Sequence, residues 1–385
     1  MPATRLISSL LALSALSLAA EAHERAVEFP PTADGSLVVA ADLHTHSVFS
    51  DGQVWPSIRV EEAHRDGLEV LAITEHLEHQ PKKADIPHPD RNRSFEVAVE
   101  SLITAGYTGL LVINGAEITR SQPHGHINAI FLDDANALLV EDPRAAVEAA
   151  NAQGGFVFLN HPNWLPQAPD GIARLSDFHE TLIRDGLLHG IEVANGTLDG
   201  HSEHALQLAL DNNLTVLGTS DIHGLVDWTH NAGHGGHRPM TLVLAADRSE
   251  AAFKQALIDG RTVAWINDDL MGRAEHVDAI VSSCLSLEAA AYNARSTVLP
   301  VTIRNACPLN FTLQNKSAQT FQNVGDLIRI ERGGDIVLQV RMGEVAPRVE
   351  LQFTVLNTQT GFRKNLDTTL SGTVPAALND ASRLR

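Results

Sequence analysis

Cysteine is almost absent: the 385-residue chain has two, Cys284 and Cys307. That excludes a disulfide-rich scaffold and a zinc–thiolate site, which needs several thiolates close together. In an oxidising compartment the two can pair, but sequence spacing does not fix whether their geometry allows it. Basic charge is also scarce. Lys and Arg number 28 against 47 Asp and Glu, a formal charge of −19. A general nucleic-acid binder needs a basic face that displaces counterions, so that class is excluded. A small phosphorylated substrate, which a few local cations can hold, is not. No G-x-S-x-G motif occurs, so a covalent serine mechanism is not indicated. Long apolar runs are confined to one place. Leu6 to Ala20 follows Arg5 and precedes Ala20-Glu21-Ala22, the pattern of a secretory signal peptide cleaved after Ala22 and spanning residues 1–22. No other run is long and apolar enough to cross a bilayer. The mature protein is therefore expected to be secreted or periplasmic.

What the chain does have is apolar residues, 44% of the total, and 19 histidines. The length suggests about two domains. From Leu37 to about Ile266, short apolar runs alternate with helix-like segments. The strand candidates are LVVAADLH, LEVLAIT, LLVINGAEI, INAIFL, GFVFLN, GIEVAN, LTVLGTS and MTLVLAA. Most are near-continuous apolar runs, as in parallel strands covered on both faces. Between them lie WPSIRVEEAHRDG, FEVAVESLITAG, PRAAVEAANAQGG and SEHALQLALDNN, several ending at Gly or Asn as helix C-termini do. Repeated βα units imply a parallel sheet or barrel over residues 36–275. Over residues 280–375 the period changes to two. Ile336, Leu338, Val340 and Met342 share one face, as do Val349, Leu351, Phe353 and Val355. This predicts a small β-sandwich-like domain with one wet face. Histidine is all but absent from it, so the chemistry belongs to the barrel.

The strand ends carry that chemistry. His44 and His46 end the first strand, with Asp51 in the turn beyond; residues i and i+2 of a strand face one side. Glu75 and His76 end the second, Glu117 the third, and His124 and His126 begin the next run. His161, Asn195, and Asp221 with His223 follow. Barrel enzymes place their sites at this face. A ligand set of His, Asp and Glu suits zinc, iron or manganese, and carboxylates can bridge two ions. Glu117 stands in an apolar strand where an unpaired carboxylate is costly. His126 is favoured over His124 as the ligand, and Glu75 points away from His76 as an orienting group.

The segments DLHTHSVFSDG, AITEH, GAEIT, GHINAIFL, NHPNW and GTSDIHG, in this order, closely resemble the polymerase-and-histidinol-phosphatase (PHP) superfamily of metal-dependent phosphoesterases, over about Asp42 to Ile266. The downstream GRTVAWINDDLMGR and the β-rich tail resemble an exported subgroup with a sandwich-like domain after the barrel. The resemblance implies an α/β fold, a distorted (βα)7 TIM-like barrel, and a site with two or three divalent ions. It places His44, His46, Glu117 and Asp221 on a first metal. Asp51 and His76 take a second with Glu117 as bridge, and His126, His161 and His223 a third. Asp51 sits where some relatives carry histidine, which hardens that site towards manganese or iron. Glu117, Asp221 and His223 are the expected catalytic groups, acting with metal-activated water on a phosphate ester.

Phosphate recognition calls for cations. Arg238, just before the last barrel strand, and Lys82 and Lys83, after the second, are the expected substrate contacts. QPKKADIPHPDRNR, with Arg91 and Arg93, reads either as a lid or as a solvated charge run. His230, His234 and His237 read as a flexible loop near the site or as a further metal cluster. Two other functions compete: a C–N or C–O hydrolase in the amidohydrolase style, which usually has a bridging lysine where Glu117 stands, and a non-catalytic metal- or glycan-binding protein. Oligomeric state is not readable.

Overall fold

The structure, a computed structural model, describes residues 27–198, 200–231, 236–293 and 296–376. The expected signal peptide lies outside them. The first domain contains β1 (Leu37–Asp42), α1 (Pro56–Arg65), β2 (Val70–Ile73), α2 (Arg93–Ala105), β3 (Leu111–Thr119), β4 (His126–Ile130), α3 (Pro143–Ala152), β5 (Phe156–Leu159), α4 (Asp177–Arg184) and β6 (Gly190–Asn195). It continues with β7 (Gly200–His201), α5 (Glu203–Asp211), β8 (Thr215–Thr219), α6 (Val226–His230), β9 (Met240–Ala245), α7 (Glu250–Ile258), β10 (Thr262–Ile266) and β11 (Asp269–Gly272). The helices are bounded by local signals. Pro56 and Pro143 stand in first turns, Ser202 and Ser249 accept from backbone N–H groups, and Gly106 ends α2 at φ 70°.

Strand direction departs from the expectation. β1, β2 and β3 are parallel, as are β5, β6 and β8. β4 runs antiparallel to both β3 and β5, and β9 antiparallel to β1 and β10. An apolar run buried on both faces does not record its own direction, so the sequence could not reveal these reversals. They have a consequence: the beginnings of β4 and β9, not their ends, lie at the face where the other strands terminate. That is why His126, the first residue of its strand, faces the same site as residues that end theirs.

The sheet curls until β8 approaches β1 and β9. At the strand ends Thr45 pairs with Ile222, Asp221 N donates to His44 O at 2.9 Å, and His46 N to Ile222 O at 3.1 Å. Lower down, the Thr241 hydroxyl spans the β8–β9 seam, accepting from Gly218 N at 3.1 Å and donating to Gly218 O at 2.8 Å. A Cβ on Gly218 would lie 2.6 Å from Met240 O, so this approach requires glycine. Among the described residues no helix is long and apolar enough to cross a membrane.

α8 (Ala274–Cys284) leads into the second domain: β12 (Leu285–Ala289), β13 (Val298–Asn305), β14 (Phe311–Asn315), β15 (Thr320–Phe321), β16 (Leu327–Ile330), β17 (Asp335–Arg341), β18 (Arg348–Val355), β19 (Thr358–Gln359) and β20 (Leu366–Thr373). Two four-stranded sheets form, β12-β13-β17-β15 and β16-β14-β18-β20. Leu338, Val340, Val349, Leu351, Phe353 and Val355 are buried between them, while Val337 is exposed, as period-two alternation requires. β19 leaves this domain to pair with β11, covering an edge of the barrel sheet. Asp268 accepts from Asn310 N and Nδ2 at 2.9 and 2.8 Å, and one apolar cluster runs from Trp265 and Val281 to Leu309 and Val355.

Cys284 and Cys307 are disulfide-bonded and buried, tying the end of α8 to the turn after β13. Their separation of 23 residues sets the loop closed in the unfolded chain. Replacing both by alanine is expected to cost about 3 kcal/mol in denaturant unfolding, from the loop entropy released to the unfolded state. Metal content should not change. A loss below about 1 kcal/mol would assign domain cohesion to packing alone.

Candidate metal centre

β1 delivers His44 and His46 with both rings fully buried. His44 Nδ1 lies 2.7 Å from Glu192 Oε1, so the ring proton sits on Nδ1 and Nε2 carries the free lone pair. His44 Nε2 is 3.0 Å from His46 Nε2, 3.3 Å from Asp221 Oδ1 and 3.7 Å from Glu117 Oε2. His46 Nε2 is 3.1 Å from Asp221 Oδ1 and 3.5 Å from Glu117 Oε2. Four acceptor atoms thus converge with no donor among them unless a proton or cation is shared. Asp221 and His161 hold φ values of 49° and 27°, left-handed conformations that are strained for non-glycine residues.

A second group lies beside the first. His46 stacks between His76 and His223, with ring centroids 4.4 Å away on each side. Asp51 Oδ1 is 3.1 Å from His223 Nε2, and Asp51 Oδ2 is 3.4 Å from His76 Nε2. Gly52 lets this turn close down: a Cβ there would meet His46 C at 2.7 Å. On the other side of Glu117, His126 Nδ1 and His161 Nε2 lie 3.0 and 3.6 Å from Oε1, which also accepts from Asn160 Nδ2 at 2.8 Å. Glu117 therefore touches all three groups. His223 does not join His126 and His161, as the resemblance implied; it stands with Asp51 and His76, because its turn leaves β8 on the β1 side of the barrel.

The donor set fits divalent cations. Asp51 Oδ1, Glu117 Oε2 and His161 Nδ1 are buried without a hydrogen bond of good geometry, although Glu117 Oε2 stands 2.5 Å from His76 Nδ1. Orphaned buried acceptors beside imidazoles are costly unless a cation completes them. The electrostatics agree. Burial opposes charge on His44, but the carboxylates Asp221, Glu192 and Glu117 outweigh it and hold its pKa well above the ordinary value. Burial likewise opposes charge on His76, yet Glu117 and Asp51 push its pKa up to about 10. His161 and His223 are raised against their burial by Glu117 and Asp51 respectively. His46 goes the other way, to about 3, through burial and the neighbouring His223 and His76. Burial tends to raise Glu117 and Asp221, but the imidazoles, His76 and His44 foremost, hold both well below the carboxylate range.

A layer behind the ligands fixes them, and most of it was not readable in the sequence. Glu192, in the middle of β6, is buried and satisfies four groups: His44 Nδ1, Thr219 Oγ1 at 2.7 Å, His161 N at 2.6 Å and Asn195 Nδ2 at 2.9 Å. Arg59 on α1 is fully buried and donates to the carbonyls of His46, His223 and Gly224 at 2.8, 2.9 and 2.7 Å, and to Glu62 at 2.6 Å. It clamps the first and last ligand turns together. Glu75 points away from His76, as expected, and accepts from Ser47 and Ser50; Ser50 Oγ is 3.3 Å from His46 Nδ1. A Glu at an inward position of an apolar strand, and an Arg on the buried face of an amphipathic helix, were the signals available.

The expected phosphate contacts require correction. Arg238 is fully buried and paired with Asp42 at 3.1 Å and Asp66 at 2.9 Å. Asp42 in turn accepts from Ser220 N at 3.0 Å, so Arg238 braces β1, β8 and β9 beneath the site. Lys82 is turned onto the carbonyls of Asp51, at 2.7 Å, and Gly52, and Lys83 is exposed; neither lines the site cavity. The segment after β2 is not a free lid: Arg91 donates to Leu77 O at 3.0 Å, Arg93 pairs with Glu96 and Glu100, and buried His88 packs on Phe49. His124 is half-buried against Phe178. His237 lies over Trp265, 3.9 Å between centroids, away from the ligand groups, and His234 falls outside the described residues.

His76, with its pKa pushed up to about 10, holds a proton in the metal-free protein at neutral pH, and His44, His161 and His223 are shifted in the same direction. Ligation needs the neutral ring, so metal entry must expel protons and affinity must rise with pH. Titration calorimetry in buffers of different ionisation enthalpy should show about one or more protons released per ion at pH 7, with apparent affinity increasing from pH 6 to 9. A flat profile would contradict the electrostatics. Glu192→Gln should weaken metal binding by about 10–100-fold while the fold persists.

Comparison with known proteins places this geometry. An Ig-like domain model matches residues 285–371. The solved structure of a two-domain protein from Bacteroides vulgatus, containing a predicted PHP-like metal-dependent phosphoesterase, superimposes with a TM-score of 0.82 at 35% identity, covering 90% of this chain and 98% of that one. A protein from Bifidobacterium adolescentis described as a metal-dependent phosphoesterase gives a TM-score of 0.36 at 22% identity over 48% of this chain and 88% of that one, too weak a likeness to argue from. No curated protein matches. At that identity and coverage, the chain belongs to the PHP-like metal-dependent phosphoesterases that carry a second, Ig-like domain.

Proposed function

We propose that the chain is an exported hydrolase of a small phosphate ester, working with two or three divalent ions drawn from zinc, manganese and iron. The observation that carries this is Glu117, a buried carboxylate touching three converging groups of ligand atoms. When bound, the ions supply Lewis acidity, lowering the pKa of water and offsetting phosphoryl charge.

The chain's residues supply the rest. His44, His46, Glu117 and Asp221 would hold one ion, Asp51 and His76 together with Glu117 a second, and His126 and His161 would serve a third. His223 has the most exposed side chain of the six histidines, at 29%, and faces the cavity. Its Nδ1 lies 2.7 Å from Asp221 O, which leaves Nε2 towards Asp51 and the substrate space. This supports proton transfer to the leaving oxygen as its role. Water oxygen bonds to phosphorus, one ester P–O bond breaks, and the alcohol departs with a proton. Export is supported by the N-terminal apolar pattern and by the Cys284–Cys307 disulfide, a bond that persists in oxidising compartments.

Chelation should abolish release of p-nitrophenol from its phosphate esters, and added manganese or zinc should restore it. Asp221→Asn and His44→Ala should lose metal together with activity. His223→Asn should lower kcat by about 10²-fold or more with metal content nearly kept. Full activity in the metal-free protein would contradict the proposal.

A further inference from the structure

Resting on the phosphoesterase reading, we infer that the Ig-like domain is a working part of the hydrolase: the turn after β19 holds the loop between β6 and β7, and through that loop it positions Asp221 and one wall of the cavity. Gln359 and Phe362 are the positioning residues. The contacts can be followed outward from the ligand. Asp221 stands in a left-handed conformation, φ 49°, which persists only where the surroundings enforce it. Two side chains of the β6–β7 segment do so. Thr197 Oγ1 donates to Asp221 O at 2.8 Å, and Asn195 Nδ2 donates to Asp221 Oδ2 at 3.3 Å. Asn195 Oδ1 in turn accepts from Thr197 N at 3.0 Å. A Cβ on Gly196, between them, would meet Ser220 O at 2.5 Å, so the segment sits hard against the turn that carries Asp221. Gly196 and Thr197 also line the cavity of about 410 Å³ that borders the ligand groups.

The barrel sheet holds the far end of this loop on one side only. β7 is two residues long and, among the described residues, pairs with β6 alone, His201 opposite Ala194 and Gly200 opposite Asn195. Further support comes from the second domain. β19 pairs with β11, and this brings Gln359 to β7: its Nε2 donates to His201 Nε2 at 3.1 Å and to Glu203 Oε1 at 3.4 Å. Three residues on, Phe362 N donates to Gln207 Oε1 at 3.2 Å, and the Phe362 ring meets that of His204 edge to face, 5.2 Å between centroids. The Ig-like domain thus grips β7 and the start of α5 from outside the barrel. It touches no ligand; its effect passes through β7 and Asn195. Asp221 Oδ1 lies 3.3 and 3.1 Å from the Nε2 atoms of His44 and His46, so a small shift of its turn would misplace an atom common to one ligand group. Misplacements of that size are costly to rate.

Variants of the mature two-domain chain test this by three measurements: calorimetric titration with manganese, release of p-nitrophenol from its phosphate esters at saturating manganese, and thermal melting. Phe362→Ala and Gln359→Ala should each weaken manganese binding by about tenfold and lower kcat by about tenfold, with KM within about twofold and melting temperature unchanged. Phe362→Tyr, which keeps the ring, should restore both. His204→Ala, on the barrel side of the contact, should cost as much as Phe362→Ala, and the two together no more than either, because both break one contact. Val337→Ala, at an exposed apolar position on β17 of the same domain, should change nothing. Wild-type manganese binding and kinetics in Phe362→Ala and Gln359→Ala, a loss that Phe362→Tyr does not restore, or an equal loss in Val337→Ala would overturn the inference and leave the hydrolase reading intact. Weakened manganese binding in these variants of a chain that turns over no phosphate ester would uphold the positioning role and sink the hydrolase reading.

Discussion

A carboxylate shut inside the barrel mouth sets the terms for everything around it. Glu117 is fully buried, yet it is surrounded by five imidazoles and shares the space with Asp221. An ionised group in that position is tolerable only among cations. In the metal-free protein a protonated His76 meets part of the need, and divalent ions held by the same ligand atoms would meet the rest. The ligand segments are themselves held in left-handed conformations at His161 and Asp221.

That holding is done by buried ion pairs and hydrogen bonds placed one layer below the ligands. Arg59 gathers the carbonyls of the first and last turns, Glu192 fixes His44 and the His161 backbone, and Arg238 with Asp42 and Asp66 locks three strands. Each is a charge removed from water, which is costly unless fully paired. Here nearly every polar atom of the three has a partner, so the layer is stiff. The Ig-like domain extends the same logic outward, since β19 covers the barrel's sheet edge and the disulfide fixes the end of α8.

Much of this was legible in the sequence, for physical reasons. Ligands that must meet at one barrel face have to sit at strand ends, so His44, His46, His76, Glu117, His161 and Asp221 announced themselves by position next to apolar runs. The sandwich was legible because one wet face forces period two. What stayed hidden was whatever periodicity does not encode. Direction is one example: β4 and β9 read as ordinary buried strands although both are reversed. Charge inside an element is another. Glu192 sat unnoticed within GIEVAN, and Arg59 within a helix whose pattern is otherwise amphipathic. Arg238 was misread because a cation before a strand resembles a rim residue. Only the packing of β9 against β1 shows it facing Asp42 and Asp66.

The central claim is that Glu117 joins the ligand groups into one multinuclear centre. Elemental analysis of the purified chain after loading with zinc, manganese or iron tests it most directly, alongside Glu117→Gln of equal thermal stability. The account predicts at least two divalent ions per chain, falling by one or more in Glu117→Gln. Fewer than one ion per chain, or an unchanged complement in the variant, would contradict it.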